Sequence, residues 1–197
     1  MERIISIDGI DHRLVTNAFT PIAYKNQFGR DYFQDMLNMF EGEQMMNMIK
    51  AAEDGQEIAN MDLSALKNFD MTFFQRLFWT FAKSADPQTE PFEHFFMKME
   101  RFPISDIAPQ LMEMLEHNMS TKKKVDDSAD ASDERFTVES YLACCKETGL
   151  SLDELKEISM GMALDYQTDY INMRTEKSDG TSSGKARKAS QSDFDSF

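Results

Sequence analysis

A dense apolar run from Met71 to Ala82, MTFFQRLFWTFA, constrains the fold of this chain more than any other segment. Apolar side chains fall on nearly every side of a helix drawn through it. Such a helix needs other elements around it, so the run predicts a helix at the centre of a core. With 197 residues, of which 41% are hydrophobic, the chain is long enough to build that core.

The N-terminus predicts a β-hairpin. Two short runs rich in β-branched residues flank Asp8 and Gly9. A two-residue turn of type I′ needs positive φ at both central positions, and Asp-Gly is among the pairs that accept it. Because a lone hairpin is marginal in water, we expect this one to pack on the elements that follow.

Helical spacing and capping residues predict the rest of the secondary structure. Thr20 is a predicted cap before Pro21, and Ser105 is another predicted cap. The pattern places helices over about 20–27, 30–52, 71–82, 91–101 and 105–115.

The last third of the chain predicts a small set of helices. Thr137 is a predicted helix cap with Gly149 as the stop, and Ser151 and Glu154 form a capping-box pattern. A final helix carries an apolar face, which consists of Ala163, Tyr166, Tyr170 and Met173.

Composition divides the chain into four segments. Residues 119–135 are polar and charged with almost no large apolar side chain, which predicts a flexible linker. Residues 175–197 are rich in Ser, Gly, Lys and Asp, which predicts a disordered tail. The predicted fold is therefore mainly α. A helical domain with an N-terminal β-hairpin covers residues 1–118, and a small helical domain covers residues 136–174.

Charge narrows the classes of partner. The chain has 35 acidic and 21 basic residues, a net charge of −14 and a pI near 4.6. This balance argues against a nucleic-acid partner and against an acidic membrane surface. The sequence contains no apolar run long enough to cross a bilayer and no secretory signal pattern. Two adjacent cysteines are a poor disulfide pair, so we expect a reduced cytosolic setting.

Catalytic and metal-binding patterns are not found in the sequence. The three histidines lack metal-ligand spacing, no Gly-rich loop could cradle a phosphate, and no Ser or Cys has a local nucleophile signature. We therefore expect no enzyme activity, no cofactor and no metal. His94 stands among Phe92, Phe95 and Phe96, which predicts a packed or hydrogen-bonded histidine instead of a ligand. A catalytic site assembled from residues distant in sequence would show no local motif.

Paired acidic residues and paired cysteines have plain interpretations. Asp31 and Asp35 share a helix face, and without an accompanying Glu-x-x-His motif they predict a solvated surface. The acidic residues of the linker lack the spacing of a calcium loop. Cys144 and Cys145 predict one buried and one partly buried thiol, with a redox pair as the sharper alternative.

Methionine is abundant, with 16 residues in the chain. Met can fill irregular gaps in a core, or it can form an adaptable surface for a partner. One helix cannot direct all of Met39, Met45, Met46 and Met48 into one core. We therefore favour the second interpretation for this cluster.

Several blocks in order resemble the tail assembly chaperones of siphophages that infect Gram-positive bacteria. The resemblance covers about residues 3–124. It rests on the Asp8-Gly9 hairpin, Phe19–Pro21, Tyr24–Asp31, Leu77–Lys83, Phe92, Phe102–Ile104 and Thr121–Lys124.

Residues Phe136 to Met173 resemble the second part of the same family. Such phages make a short G protein and a longer GT protein by programmed ribosomal frameshifting, and the T part is a small helical extension. Lys122, Lys123 and Lys124 stand at the junction, where an A-rich slippery sequence would encode lysines. A basic helix end favoured by the helix dipole explains the same lysines equally well.

The resemblance implies a binding function. The G part would coat the tape measure protein, and the T part would recruit the major tail protein, in the host cytoplasm and outside the mature virion. We expect Met39, Met45, Met46 and Met48 to bind the tape measure protein, and Tyr166 and Tyr170 to bind the tail protein. Self-association is also compatible with the sequence. The rival interpretation is an acidic inhibitor that mimics DNA, of the anti-restriction type.

Overall fold

A computed structural model describes residues 1–40, 70–122 and 136–180, with side chains described up to residue 174. The described part is mainly helical, and a two-stranded antiparallel hairpin packs against a central helix, which confirms the predicted fold class.

The hairpin forms as its turn chemistry predicts. Strands β1 (Glu2–Ile7) and β2 (Ile10–Val15) pair antiparallel, and Ile7 lies opposite Ile10 beside the turn. Asp8 has φ of 51° and Gly9 has φ of 78°, so both turn positions adopt the left-handed conformation. One face of the hairpin is buried and packs on the central helix.

Helix α1 (Thr20–Phe28) ends at Gly29, which has φ of 65°. Thr20 is the first residue of this helix instead of its cap: the N-cap is Phe19, and the Oγ1 atom of Thr20 accepts the N–H of the preceding Asn17 at 3.0 Å. Helix α2 is described over residues 32–40. Asp31 caps it by accepting the N–H groups of Phe33 and Gln34 at 3.1 and 3.2 Å.

The central helix is α3 (Thr72–Ala85). It packs against β2, α1, α4 and α5, as expected for a helix that is apolar on nearly every side. Helix α4 (Phe92–Met97) is shorter than predicted and has no fully buried residue. Helix α5 (Ile104–Met119) begins one residue before the predicted cap Ser105, because the carbonyl of Pro103 already accepts N–H groups from the first turn.

Three helices follow in the C-terminal part: α6 (Val138–Glu147), α7 (Glu154–Glu157) and α8 (Met160–Gly180). Thr137 caps α6 through a reciprocal capping box with Ser140, and Gly149 follows the helix with φ of 81°. Helix α8 extends into the segment 175–197 that was predicted to be a disordered tail.

Helices α6 to α8 pack on the N-terminal part of the chain. We call this contact the seam. The Tyr141 hydroxyl donates to the carbonyl of Ala18 at 2.9 Å, and the main-chain N–H of Val138 donates to Asp31 at 2.8 Å. Asn118 lies at the other end of the seam. Its side chain donates to the carbonyl of Asn17 and accepts the N–H of Met160, both at 3.2 Å.

The seam also contains a close approach of two backbones. A Cβ atom added to Gly161 would lie 1.9 Å from the carbonyl oxygen of Ser120. Buried side chains from both sides of the seam belong to one hydrophobic cluster. The division into domains at residues 118 and 136 stays a prediction, but the described residues on both sides share this core.

Candidate functional site

An open groove of about 780 Å³ lies between the hairpin and the end of α3. We refer to it as the groove. Its apolar surface comes from both sides and consists of Ile7, Ile10, Ala82, Ala85, Phe95 and Met99. Ile10 is 59% exposed there, although it lies on the same hairpin face as the buried Ile7. The groove therefore offers apolar contact area that the described part of the chain leaves uncovered.

The rim of the groove is mainly acidic. Asp8, Asp11, Asp86 and Glu90 line it together with the two cations Arg13 and Lys98. Both cations are paired, Arg13 with Glu2 and Lys98 with Glu90, and Asp8 lies 3.7 Å from Arg101. Within the described part of the chain, the negative charge that remains on the rim therefore belongs to Asp11 and Asp86. The C-terminal end of α3 also points its partial negative charge towards this region. An incoming basic residue would therefore meet a favourable potential.

His12 lines the groove and packs between two aromatic rings. Its ring centroid lies 5.4 Å from those of Phe78 and Phe95, both with edge contacts. Its Nε2 atom is buried and has no hydrogen-bond partner among the described residues. Desolvation lowers the pKa of His12 and outweighs the nearby charge of Asp11, so the neutral ring is favoured.

The packed histidine is therefore His12, and the expectation for His94 is wrong. His94 is exposed on α4, whose neighbouring Phe residues turn towards α3 without it. Sequence neighbours on a six-residue helix point in different directions. The burial of His12 could be inferred from strand alternation, which places it opposite the buried Ile5 and on the same hairpin face.

The solvated face predicted for Asp31 and Asp35 is also wrong. Asp35 is 7% exposed and accepts two hydrogen bonds from Arg30, at 2.6 and 2.7 Å. The Tyr24 hydroxyl donates to Asp35 at 2.8 Å and accepts from Arg76 at 2.7 Å. These partners compensate the like charges that the sequence argument considered alone.

Asp70 completes this buried polar network. It accepts a hydrogen bond from Arg76 at 2.9 Å. Partial burial acts to raise the pKa of Asp70, but hydrogen bonds from Thr72 and Arg76 outweigh it and lower the pKa to about 2. Burial raises the pKa of Tyr24 above its ordinary value. Charges and hydrogen bonds are matched inside the network, so we assign it a structural role.

A second apolar area, which the described part of the chain leaves exposed, lies along α8. It consists of Met162, Tyr166, Tyr170 and Met173, which are spaced three and four residues apart, and we call it the α8 face. Tyr166 is 46% exposed, and Tyr170 is partly covered by the Arg174 guanidinium 4.5 Å from its ring. Ala163, which was predicted on the same face, is buried towards the core.

The other predicted site residues have different positions. Met39 is 5% exposed and belongs to the core, whereas Met45, Met46 and Met48 lie outside the described residues. The main-chain N–H of Lys122 donates to Asp165 at 3.0 Å, while Lys123 and Lys124 are outside the described part.

The adjacent thiols differ in burial as predicted. Cys144 is partly buried and Cys145 is buried. Desolvation raises the pKa of Cys145 above its ordinary value. Within residues 1–40, 70–122 and 136–180, no group of three or more His, Cys, Asp or Glu side chains is arranged to hold a metal ion.

No helix in the described ranges combines the length and the apolar character needed to cross a bilayer. Comparisons with protein-family models, curated proteins and solved structures found no match to this chain.

Proposed function

We propose that this chain is a phage tail assembly chaperone of the long, fused form. It would bind the tape measure protein and recruit the major tail protein in the host cytoplasm. The observation that carries the proposal is the groove, which has a volume of about 780 Å³, an open apolar lining and an acidic rim. A protein that shields aggregation-prone segments needs such a surface to be available without unfolding.

The overall charge supports the same function. At −14 the chain repels its own copies and would help keep a complex with an apolar partner in solution. The acidic rim would also favour partner segments in which basic residues flank apolar ones. We therefore place the first partner contact at the groove, and Met39 is not part of it because its side chain is buried.

The α8 face supports a second, separate contact. Tyr166 and Tyr170 are aromatic, partly exposed and held on a helix, which is the kind of residue that anchors protein interfaces. We assign this face to the major tail protein. The seam holds α8 against α5, so both proposed contacts lie on one packed structure.

Co-expression of the full chain with the neighbouring tape measure and major tail proteins tests the proposal. Two exposed isoleucines of the hairpin give a matched pair, because Ile10 is 59% exposed in the groove and Ile4 is 61% exposed outside it. We expect Ile10→Glu to lose the tape measure protein and Ile4→Glu to retain it. Failure of the unmodified chain to capture either partner would contradict the function itself.

The α8 face is tested in the same co-expression. A double variant, Tyr166→Ala with Tyr170→Ala, should lose the major tail protein and keep the tape measure protein. Exposed Met97 on α4 offers a control, since Met97→Ala removes an 81% exposed apolar side chain outside the α8 face. Equal loss in both variants would contradict the assignment of this face.

The proposed frameshift origin needs a separate test. We infer that a short product ends near Lys122–Lys124 and shares the N-terminus of the long form. Mass spectrometry of the proteins made from the natural gene should detect two such products. Detection of the long product alone would favour the alternative, a basic helix end with no role in translation.

Acidic DNA mimicry is the weaker candidate. A mimic needs unpaired carboxylates in an array, as the phosphates of DNA are arrayed. Many exposed carboxylates of this chain instead pair with nearby cations, among them Glu2, Asp8, Glu90, Glu113, Glu139, Glu147 and Asp153. Competition with DNA for a DNA-binding enzyme would separate the two functions.

A further inference from the structure

The groove is bordered by one edge of strand β2, and the hydrogen-bond pattern of the hairpin determines which backbone groups point towards it. Met1 and Thr16 exchange two hydrogen bonds, of 2.8 and 3.0 Å. In an antiparallel pair such bonded positions alternate with positions whose backbone groups point away from the partner strand. The backbone groups of Asp11 and Arg13 therefore point away from β1.

The residues around the groove place this outward edge next to it. Asp11 and Arg13 both line the groove, whereas the outward-pointing residues of β1, which include Glu2 and Ile4, do not. The main-chain N–H groups of Asp11 and Arg13 make no hydrogen bond with any described residue beyond the hairpin. An open strand edge thus runs along one wall of an apolar groove, with α3 and α4 forming the other.

We propose that an extended segment of a partner protein pairs with β2 at Asp11 and Arg13 and occupies the groove as a third strand. The proposal deepens the function proposed above, and it rests on that function for the identity of the partner as the tape measure protein. The strand-pairing site itself rests on the hairpin geometry and on the groove.

Strand pairing fits this site better than a docked helix. Any occupant that fills the groove also covers the open N–H and C=O groups of the β2 edge. A strand supplies hydrogen-bond partners for them, whereas a helix has used its own backbone groups internally and would leave them buried and unpaired. Contact with three or four strand residues spans about 10–13 Å.

The two sides of the incoming strand would meet different chemistry. Residues on its inner side would face Ile10, Phe95 and Met99, which favours apolar side chains. Residues on its outer side would lie beside Asp11 and beside Arg13, whose charge is paired with Glu2. Among the described residues, the carboxylate of Asp11 is therefore the unpaired charge on that side, which favours lysine or arginine. We therefore infer a partner segment in which apolar and basic residues alternate.

A peptide probe tests the inference on the full chain. The probe is an acetylated and amidated seven-residue peptide of alternating lysine and isoleucine. Amide hydrogen exchange, measured by NMR, should slow about tenfold or more at Asp11 and Arg13 when the peptide is saturating. Exchange at Ile4 and Ser6, on the opposite edge, should not change.

Proline substitutions provide the matched variants. Arg13→Pro removes an outward N–H group without removing a bond between β1 and β2, so it should weaken peptide binding about tenfold or more. Ile4→Pro is the control, because it removes the equivalent outward group opposite Arg13 on β1, outside the groove. It should bind within about twofold of the unmodified chain. Arg13→Ala, which loses the same side chain but keeps the N–H group, should bind more tightly than Arg13→Pro. Circular dichroism confirms that each variant is folded.

Several outcomes would overturn the inference. These are absence of peptide binding at millimolar concentration, binding without protection of Asp11 and Arg13, and equal weakening by Ile4→Pro. Tighter binding by a helix-stabilised peptide of the same composition would also overturn it. If the peptide protects Asp11 and Arg13 but the tape measure protein is not captured, the strand-pairing site stands and the proposed function fails.

Discussion

The seam and the groove both lie between elements that are distant in sequence. They differ in whether their polar groups have hydrogen-bond partners. At the seam, the side chains of Asn17, Asn118 and Tyr141 form hydrogen bonds with backbone groups from the other side, and the contact is closely packed. At the groove, none of the described residues pairs with the outward edge of β2 or covers the side chain of Ile10. A contact that satisfies its own polar groups needs no partner, whereas the groove has unused bonding capacity. The difference separates a structural contact from a binding surface.

Gly161→Ala should have the largest effect, because it acts where the two backbones of the seam approach most closely. In an ordinary helix this change stabilises, since alanine is the better helix former. Here the new Cβ would lie 1.9 Å from the oxygen of Ser120, so α8 must move away. We expect the free energy of unfolding to fall by about 3 kcal/mol in a urea titration.

Met162→Ala is the control for that change, because it alters an exposed neighbour on the same helix. Its effect should stay below about 0.5 kcal/mol. A stabilising Gly161→Ala would mean that the seam is open in solution, and the contrast with the groove would then be lost.

Asn118→Leu tests the polar side of the seam. The side chain is fully buried, and its loss leaves the carbonyl of Asn17 and the N–H of Met160 without their partners. Unfolding free energy should fall by about 2 kcal/mol, although leucine has a similar volume. Thermal unfolding followed by circular dichroism measures the change. His117→Ala, on the exposed side of the same turn, should be nearly neutral.

The part of the fold that sequence could predict is the part determined by neighbours in the chain. Asp8 and Gly9 specify their turn, and Ser151 and Glu154 form the reciprocal bonds of a capping box. The apolar run of α3 predicts its own burial. Each of these features depends on residues a few positions apart.

The part that sequence could not predict depends on tertiary pairing. The solvent exposure assigned to Asp35 was wrong because Arg76 approaches it only after α3 packs beside α1. The other cation of Asp35, Arg30, is only five residues away and was a local signal that the sequence argument did not use. The groove was missed for a similar reason, since its walls come from β2, α3 and α4. Alternation in β2 did indicate that Ile10 shares a face with buried residues, but it could not indicate that α3 ends before covering it.

His12→Phe tests the burial of His12, which lines the groove and packs against an aromatic ring of the core. Because the folded-state pKa of His12 is lowered, its neutral form contributes stability that is present above the unfolded pKa of about 6.5 and is lost as pH falls below it. Phenylalanine cannot titrate and removes the unpartnered Nε2 atom. Between pH 7.5 and 5.5 we expect the unfolding free energy of the variant to fall less than that of the parent. The difference between the two losses should be about 1 kcal/mol or less.

His94→Phe is the control for the added aromatic ring, because it introduces the same ring at an exposed position on α4. Its stability at pH 7.5 should stay within about 0.5 kcal/mol of the parent. The same pH dependence in parent and His12→Phe would contradict the burial of His12 beside the groove.

The smallest effect is expected in the groove itself, for Ile10→Ala. Removing a large apolar side chain from a buried position usually costs several kcal/mol, and Leu14→Ala on the same strand should cost about 3 kcal/mol because Leu14 is fully buried. Ile10 is 59% exposed, so its loss should change the unfolding free energy by less than about 0.5 kcal/mol. Urea titrations of the two variants measure both values.

A cost above about 1 kcal/mol for Ile10→Ala would show that Ile10 supports the fold as Leu14 does. A neutral result together with loss of partner capture would show that this isoleucine serves the partner, which is the distinction that the open groove and the closed seam predict.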